Sequence, residues 1–118
     1  MPRDVPQLPP VVDIEFGGNC SARPSLDTFR TELAAFIEPV EAAFGRPVVI
    51  YLLGDTAVLY GSAVPDRQRW VRSLALRPGN EGWIYWQYHD RGRINGIVGD
   101  VDLNVLQGDR SMLATLVR

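Results

Sequence analysis

Lysine does not occur in this sequence; all 12 basic residues are arginine. We read that bias as composition and attach no mechanism to it. Cysteine is nearly absent too. Cys20 stands alone, so no internal disulfide can form. With one cysteine and one histidine, His89, a zinc centre lacks the ligands it needs. No metal or cofactor is therefore expected. A cysteine–histidine mechanism would need a third, orienting group, and none can be argued, so Cys20 reads as a loop cysteine and His89 as a surface histidine. No apolar run approaches the roughly 20 residues that span a bilayer, so no membrane span is expected. The net charge of −2 argues against a partner held through its phosphates, so no nucleic acid is expected. The opening MPRDVPQLPP has no basic-then-apolar pattern, so no signal peptide is expected in it. No internal repeat and no low-complexity segment occurs.

What is present fits one small globular domain spanning residues 1–118. Hydrophobic residues make up 46% and charged residues 22%. Residues 1–10 hold four prolines and read as an extended lead-in. Residues 11–16 (VVDIEF) read as a strand and GGNCSARP as the loop after it. Ser25 looks like a helix N-cap, with Asp27 in the first turn. Leu26, Phe29, Leu33, Phe36, Ile37 and Val40 then recur at helical spacing. Pro39 should kink or end that helix early, because it lacks the N–H and clashes with the preceding turn. Gly45 is a plausible stop.

Residues 47–53 (PVVIYLL) form a continuous apolar strand, the pattern of one covered on both faces. Asp55 or Thr56 is placed to cap a short helix through Tyr60. RWVRSLAL and WIYWQY read as further strands, with PGNEG a turn between them. RGRINGIVGDVDLNVL reads as a hairpin or paired strands, and residues 110–117 as a closing helix. Strand–helix–strand–helix at the start implies parallel strands with crossover helices; the later part does not. The fold class is α/β.

Two acids sit in the first strand. Side chains alternate along a strand, so Asp13 and Glu15 share a face, about 6–7 Å apart at Cα. They precede a glycine loop at the strand's C-terminal end, where α/β barrels hold their active sites. Two carboxylates this close disfavour joint ionisation, and a carboxyl with a raised pKa can serve as a general acid. The plain alternative is a strand end whose acids face water. DVDLN, with Asp100, Asp102 and Asn104, superficially suggests a calcium loop. Val105 and Ser111 stand where that loop needs Gly and Glu, so the reading fails. Trp70, Trp83, Trp86, Tyr51, Tyr85 and Tyr88 are numerous for four short strands. Aromatic faces stack on sugar rings, although core packing accounts for at least half of them. In WIYWQY, alternation puts Trp83, Tyr85 and Gln87 on one face and Ile84, Trp86 and Tyr88 on the other.

PVVDIE, RPVVIYLL and WIYWQYHDRGRINGIVGDVDLNVLQGD, taken together and in this order, resemble the C-terminal part of family 25 glycoside hydrolases. The resemblance runs from about Leu8 to Asp109. These are lysozymes that cleave the β-1,4 bond after N-acetylmuramic acid in peptidoglycan. The resemblance implies an irregular TIM-like (β/α)5β3 barrel, here partial and lacking its N-terminal strands. It implies Glu15 as general acid, Asp13 as its carboxylate partner and Asp102 as a further catalytic acid. Tyr51, Trp86, Gln87 and Asn104 would bind substrate, and peptidoglycan glycan strands would be the partner. A secreted or cell-envelope location is the family expectation. The family's early G-I-D-V-S type segment, whose aspartate joins the active site, has no counterpart here. Missing strands would expose a sheet edge beside VVDIE. Either a second copy of the chain covers it as a homo-oligomer, or the edge is repacked.

Overall fold

The computed structural model describes residues 5–17 and 21–118. Cys20 and the middle of the glycine loop lie outside the described residues. Strand β1 spans Val11–Ile14, helix α1 Leu26–Phe44, β2 Val49–Leu52 and α2 Gly54–Tyr60. A short 3₁₀ turn, Gly61–Ala63, leads to β3, Arg69–Arg72. Strands β4, Trp83–Gly92, and β5, Val101–Leu106, follow, and α3 closes the described chain at Arg110–Leu116.

The five strands form one sheet in chain order. β1 to β4 run parallel, and β5 returns antiparallel to β4. The parallel run thus extends one strand further than the crossover helices. β3 and β4 are joined by residues 73–82 without a helix. That loop is pinned to its neighbours instead. The Trp86 indole donates to the Ser73 carbonyl at 2.9 Å, the Gln107 amide to the Asn80 carbonyl at 2.6 Å, and the Trp83 indole to the Gly79 carbonyl.

Helix α1 begins as its sequence predicts. The Ser25 hydroxyl accepts the Thr28 N–H at 3.2 Å, satisfying one of the first turn's orphan donors. Gly45 ends it with φ of 65°, a left-handed conformation that costs glycine nothing. Pro39, however, neither ends nor shortens the helix, which continues to Phe44. Ala35, whose carbonyl Pro39 leaves without a partner, is exposed, and so is Pro39 itself. The lost bond therefore falls on the helix's exposed side, while Leu33, Ile37 and Val40 keep the helix on the sheet. The capping of α2 also starts earlier than expected: Leu53 is the N-cap, and Asp55 Oδ1 accepts the Thr56 N–H at 2.8 Å inside the first turn.

The sheet's two faces bury different things. Val12, Ile14, Val48 and Ile50 pack under Leu33 and Ile37 of α1. Burying each such side chain stabilises by roughly 1.5–3 kcal/mol. On the other face, Val49 meets Ile84 and Leu116, with Trp70, Tyr85 and Leu106 against them. Helix α3 thereby closes the end of the sheet where β2 begins. Arg46 ties that end together by donating to the carbonyls of Gln7 at 3.3 Å and Leu116 at 2.7 Å.

Simple alternation fails along β4. Arg69 pairs with Trp83 but Trp70 pairs with Tyr85, so Ile84 is an extra residue in a bulge. Ile84 consequently joins the Val49 cluster, and Trp83 turns to meet Trp86, with ring centroids 6.3 Å apart. Trp83 thus parts from Tyr85 and Gln87, contrary to the alternation read from WIYWQY.

Candidate active site

Register places the sequence-derived residues on one face. Asp13 pairs with Tyr51, Tyr51 with Trp70, and Trp70 with Tyr85. One layer nearer the strands' C-terminal ends, Arg72 pairs with Gln87 and Gln87 with Asn104. Adjacent parallel strands carry partners on the same side, so Asp13, Tyr51, Trp70, Arg72, Gln87 and Asn104 line one surface. Glu15 stands just beyond the end of β1, and Asp102 lies two residues before Asn104 on the same side of β5.

The polar groups of this face hold one another. The Tyr51 hydroxyl donates to Gln87 Oε1 at 2.7 Å. The Trp70 indole donates to Asn104 Oδ1 at 2.8 Å, and its ring meets Tyr51 edge-on at 5.3 Å. Gln87 is buried, with its side-chain oxygen satisfied by that phenol. Asp13, Glu15 and Asp102 are exposed. Among the described residues, none of the three carboxylates has a hydrogen-bond or ion-pair partner.

Electrostatics link them all the same. Burial pushes the Tyr51 phenol above its ordinary pKa; the Arg72 guanidinium pulls it down, and Asp13, Glu15 and Asp102 each push it up. A phenol resists ionising next to negative charge, so three carboxylates from two distant strands are felt at one hydroxyl. Among the described residues, no group of three or more His, Cys, Asp or Glu is arranged to hold a metal ion. The acids share a surface without forming a coordination cage.

Trp86 is not brought to this surface. It follows Tyr85 and precedes Gln87 on β4, so it points through the sheet, where its ring meets Trp83 and Tyr88. His89 is exposed, and its Nδ1 accepts the Arg91 N–H at 3.4 Å. Asp100 pairs with Arg93 at 2.9 Å across the β4–β5 loop, apart from Asp102.

Two residues here were not read from the sequence. Arg72 could have been found by alternation from Trp70 in RWVRS. Asp90 could not. A second bulge, where His89 rather than Tyr88 follows Gln87 in the pairing, resets the alternation and returns Asp90 to the face of Arg72. The two form an ion pair at 2.8 Å. A cavity of about 450 Å³, lined by Pro9, Arg46, Val48, Arg67 and Leu116 among others, opens at the opposite end of the strands, away from the acids.

Comparison with known proteins bears on this arrangement. Residues 1–97 match the model of Glycosyl hydrolases family 25. A solved family 25 glycosyl hydrolase from Bacillus anthracis superposes with a TM-score of 0.77 at 33% identity, over 92% of this chain and 54% of its own. The "Uncharacterized protein YegX" of Escherichia coli O157:H7 is 34% identical over 117 residues, 93% of this chain and 40% of YegX. Lysozyme M1 of Streptomyces globisporus is 33% identical over 97% of this chain and 42% of its own. The chain therefore spans about 40% of the curated relatives it matches and about half of the solved one.

Proposed function

The chain belongs to glycosyl hydrolase family 25, and from that premise we propose that it is a peptidoglycan muramidase. It would hydrolyse the β-1,4 bond between N-acetylmuramic acid and N-acetylglucosamine. The observation that supports this reading is the strand register, which lines Asp13, Tyr51, Gln87 and Asn104 along one face of the sheet, with Glu15 and Asp102 beside them at the strand ends. Glycoside hydrolysis needs a carboxylic acid to protonate the leaving oxygen and a nucleophile at the anomeric centre, either a second carboxylate or a substrate 2-acetamido group that a carboxylate orients.

In this reading Glu15 is the acid, because it stands at the exposed strand end where a glycosidic oxygen can reach it. Asp13 orients the 2-acetamido group of the sugar for neighbouring-group attack and balances the positive charge that develops on it. Asp102, approaching from β5, positions that acetamido group, a water molecule or the sugar. Tyr51, fixed by Gln87, and Asn104, fixed by Trp70, present oriented polar groups to the glycan. Replacing Glu15 by Gln keeps the shape and removes the proton. Clearing of cell-wall suspensions should fall by at least about a hundredfold, the usual scale of a lost general acid. Unchanged clearing would remove Glu15 from the role.

A second reading is favoured by one observation: the chain spans about half of its solved relative, and its sheet is open beyond β1 and β5 among the described residues. It makes the chain a glycan-binding piece without turnover. Sedimentation with purified cell walls, with no release of reducing ends, would select it over the muramidase.

A further inference from the structure

Arg72 has no role in the chemistry above. Its side chain lies on the acid-bearing face, in register with Gln87. Its Nη2 donates to Asp90 Oδ2 at 2.8 Å. Among the described residues Asp90 is its one hydrogen-bonding partner. The side chain is 36% exposed, and its charge is felt at the Tyr51 phenol.

Stability does not explain it. A partly exposed, single-contact pair contributes little to stability. The neighbouring polar groups do not need it either, since Tyr51 is held by Gln87 and Trp70 by Asn104. A guanidinium is a planar fork of five N–H donors, matched in shape to a carboxylate. Here one nitrogen is engaged with Asp90, and the side chain remains partly exposed on the acid-bearing face. The same face carries Asp13, Glu15 and Asp102, which would repel an anionic sugar unless a cation offset them.

We propose that Arg72, oriented by Asp90, binds a free carboxylate on the glycan, namely that of the 3-O-lactyl substituent of N-acetylmuramic acid. This rests on the muramidase reading for the identity of the sugar. In walls that carry stem peptides that carboxylate is an amide and has lost its charge. The most tightly bound substrate is then glycan already stripped of its peptides, and the reaction class that supplies it is amide hydrolysis at the lactyl group. Chitin-type glycan, which has no lactyl group, is a poor ligand for the same reason.

The test uses the non-cleaving Glu15→Gln chain and three tetrasaccharides, with binding read by calorimetry. One alternates N-acetylglucosamine and N-acetylmuramic acid with free carboxylates. The second is the same with its carboxylates amidated by alanine amide. The third is chitotetraose. The free-carboxylate ligand should bind about 10–100-fold more tightly than the other two, the range of a charge-assisted contact. Adding Arg72→Gln should erase that preference, Arg72→Lys should keep part of it, and Asp90→Asn should retain it. Circular dichroism melts identify any variant that fails to fold, in which case the Arg72→Lys chain decides. Equal affinity for all three ligands, or a preference that survives Arg72→Gln, overturns the proposal. Binding preference does not depend on turnover. If the parent chain shows the preference but never releases reducing ends, the muramidase reading fails and the carboxylate site stands.

Discussion

Tyr51 is the residue at which the site is best interrogated. Its phenol is raised first by burial and then by three carboxylates, with Arg72 opposing them. Resolved by tyrosine ring-carbon NMR, Tyr51 should titrate above the ordinary tyrosine value near 10. Removing a cation favours the neutral phenol, so Arg72→Gln should move the titration further up. Removing an anion acts in the opposite sense, so Asp13→Asn should move it down. A Tyr51 titration indifferent to both changes would mean that these charges do not share a cleft. The acids around Tyr51 were legible as residues because strand alternation and the D-x-E and V-D-L-N segments are local patterns. Their common target was not, since it depends on how β1, β2 and β5 are laid side by side.

Among the elements, α1 carries the clearest internal contradiction. A helix-breaking Pro39 sits in a helix that does not break. Packing on the sheet outweighs a local penalty of about 3 kcal/mol. Pro39→Ala should therefore raise the stability of the chain by about 1–3 kcal/mol, read from urea unfolding. A loss of stability would show that the ring itself is needed. The same helix is joined to the sheet through Glu41. Its carboxylate takes Arg67 at 2.7 and 3.0 Å and the Val48 N–H at 3.0 Å. The Arg67 hydrogen bonds hold the Glu41 pKa below the ordinary value of 4.5. A carboxyl depressed in the fold contributes stability that is present above its unfolded pKa and lost as pH falls through the folded one. Thermal melts should thus lose this contribution below pH 4.5. Glu41→Gln should lower the melting temperature at neutral pH and flatten that part of the acid limb. Parallel acid limbs in the two proteins would count against the linkage.

For the whole molecule, the open sheet is the governing feature. Among the described residues β1 hydrogen-bonds to β2 alone and β5 to β4 alone. Unpaired strand edges recruit partners. Val11, on the acid-bearing face of β1, is 40% exposed, and the apolar floor beside it is covered from one side by Leu116 of α3. The 118-residue chain should accordingly self-associate through β1, giving a concentration-dependent mass in light scattering. Val11→Lys, which places a charge on that edge, should return it to a monomer. A monomeric mass for the parent at every concentration would show that the edge is already protected.

Several features follow from residues close together in the chain. Ser25 and Gly45 bound the long helix because capping acts within four residues. The apolar run through Ile50 becomes the most buried strand because nothing in it can face water. Asp13 and Glu15 share one face at the end of β1 because strand side chains alternate. Other features depend on contacts between segments far apart. The bulges at Ile84 and after Gln87 exist only in the pairing of β4 with β3 and with β5, and no window of WIYWQYHDRG contains that information. They separate Trp83 from Tyr85 and bring Asp90 to Arg72. Its W-Q-Y motif places Trp86 in the cleft, but the pleat of β4 turns it through the sheet. Local pattern names the side chains, whereas register across strands selects which of them meet. Hydrogen bonds between strands are made to the backbone, so the side chains reveal that register only indirectly.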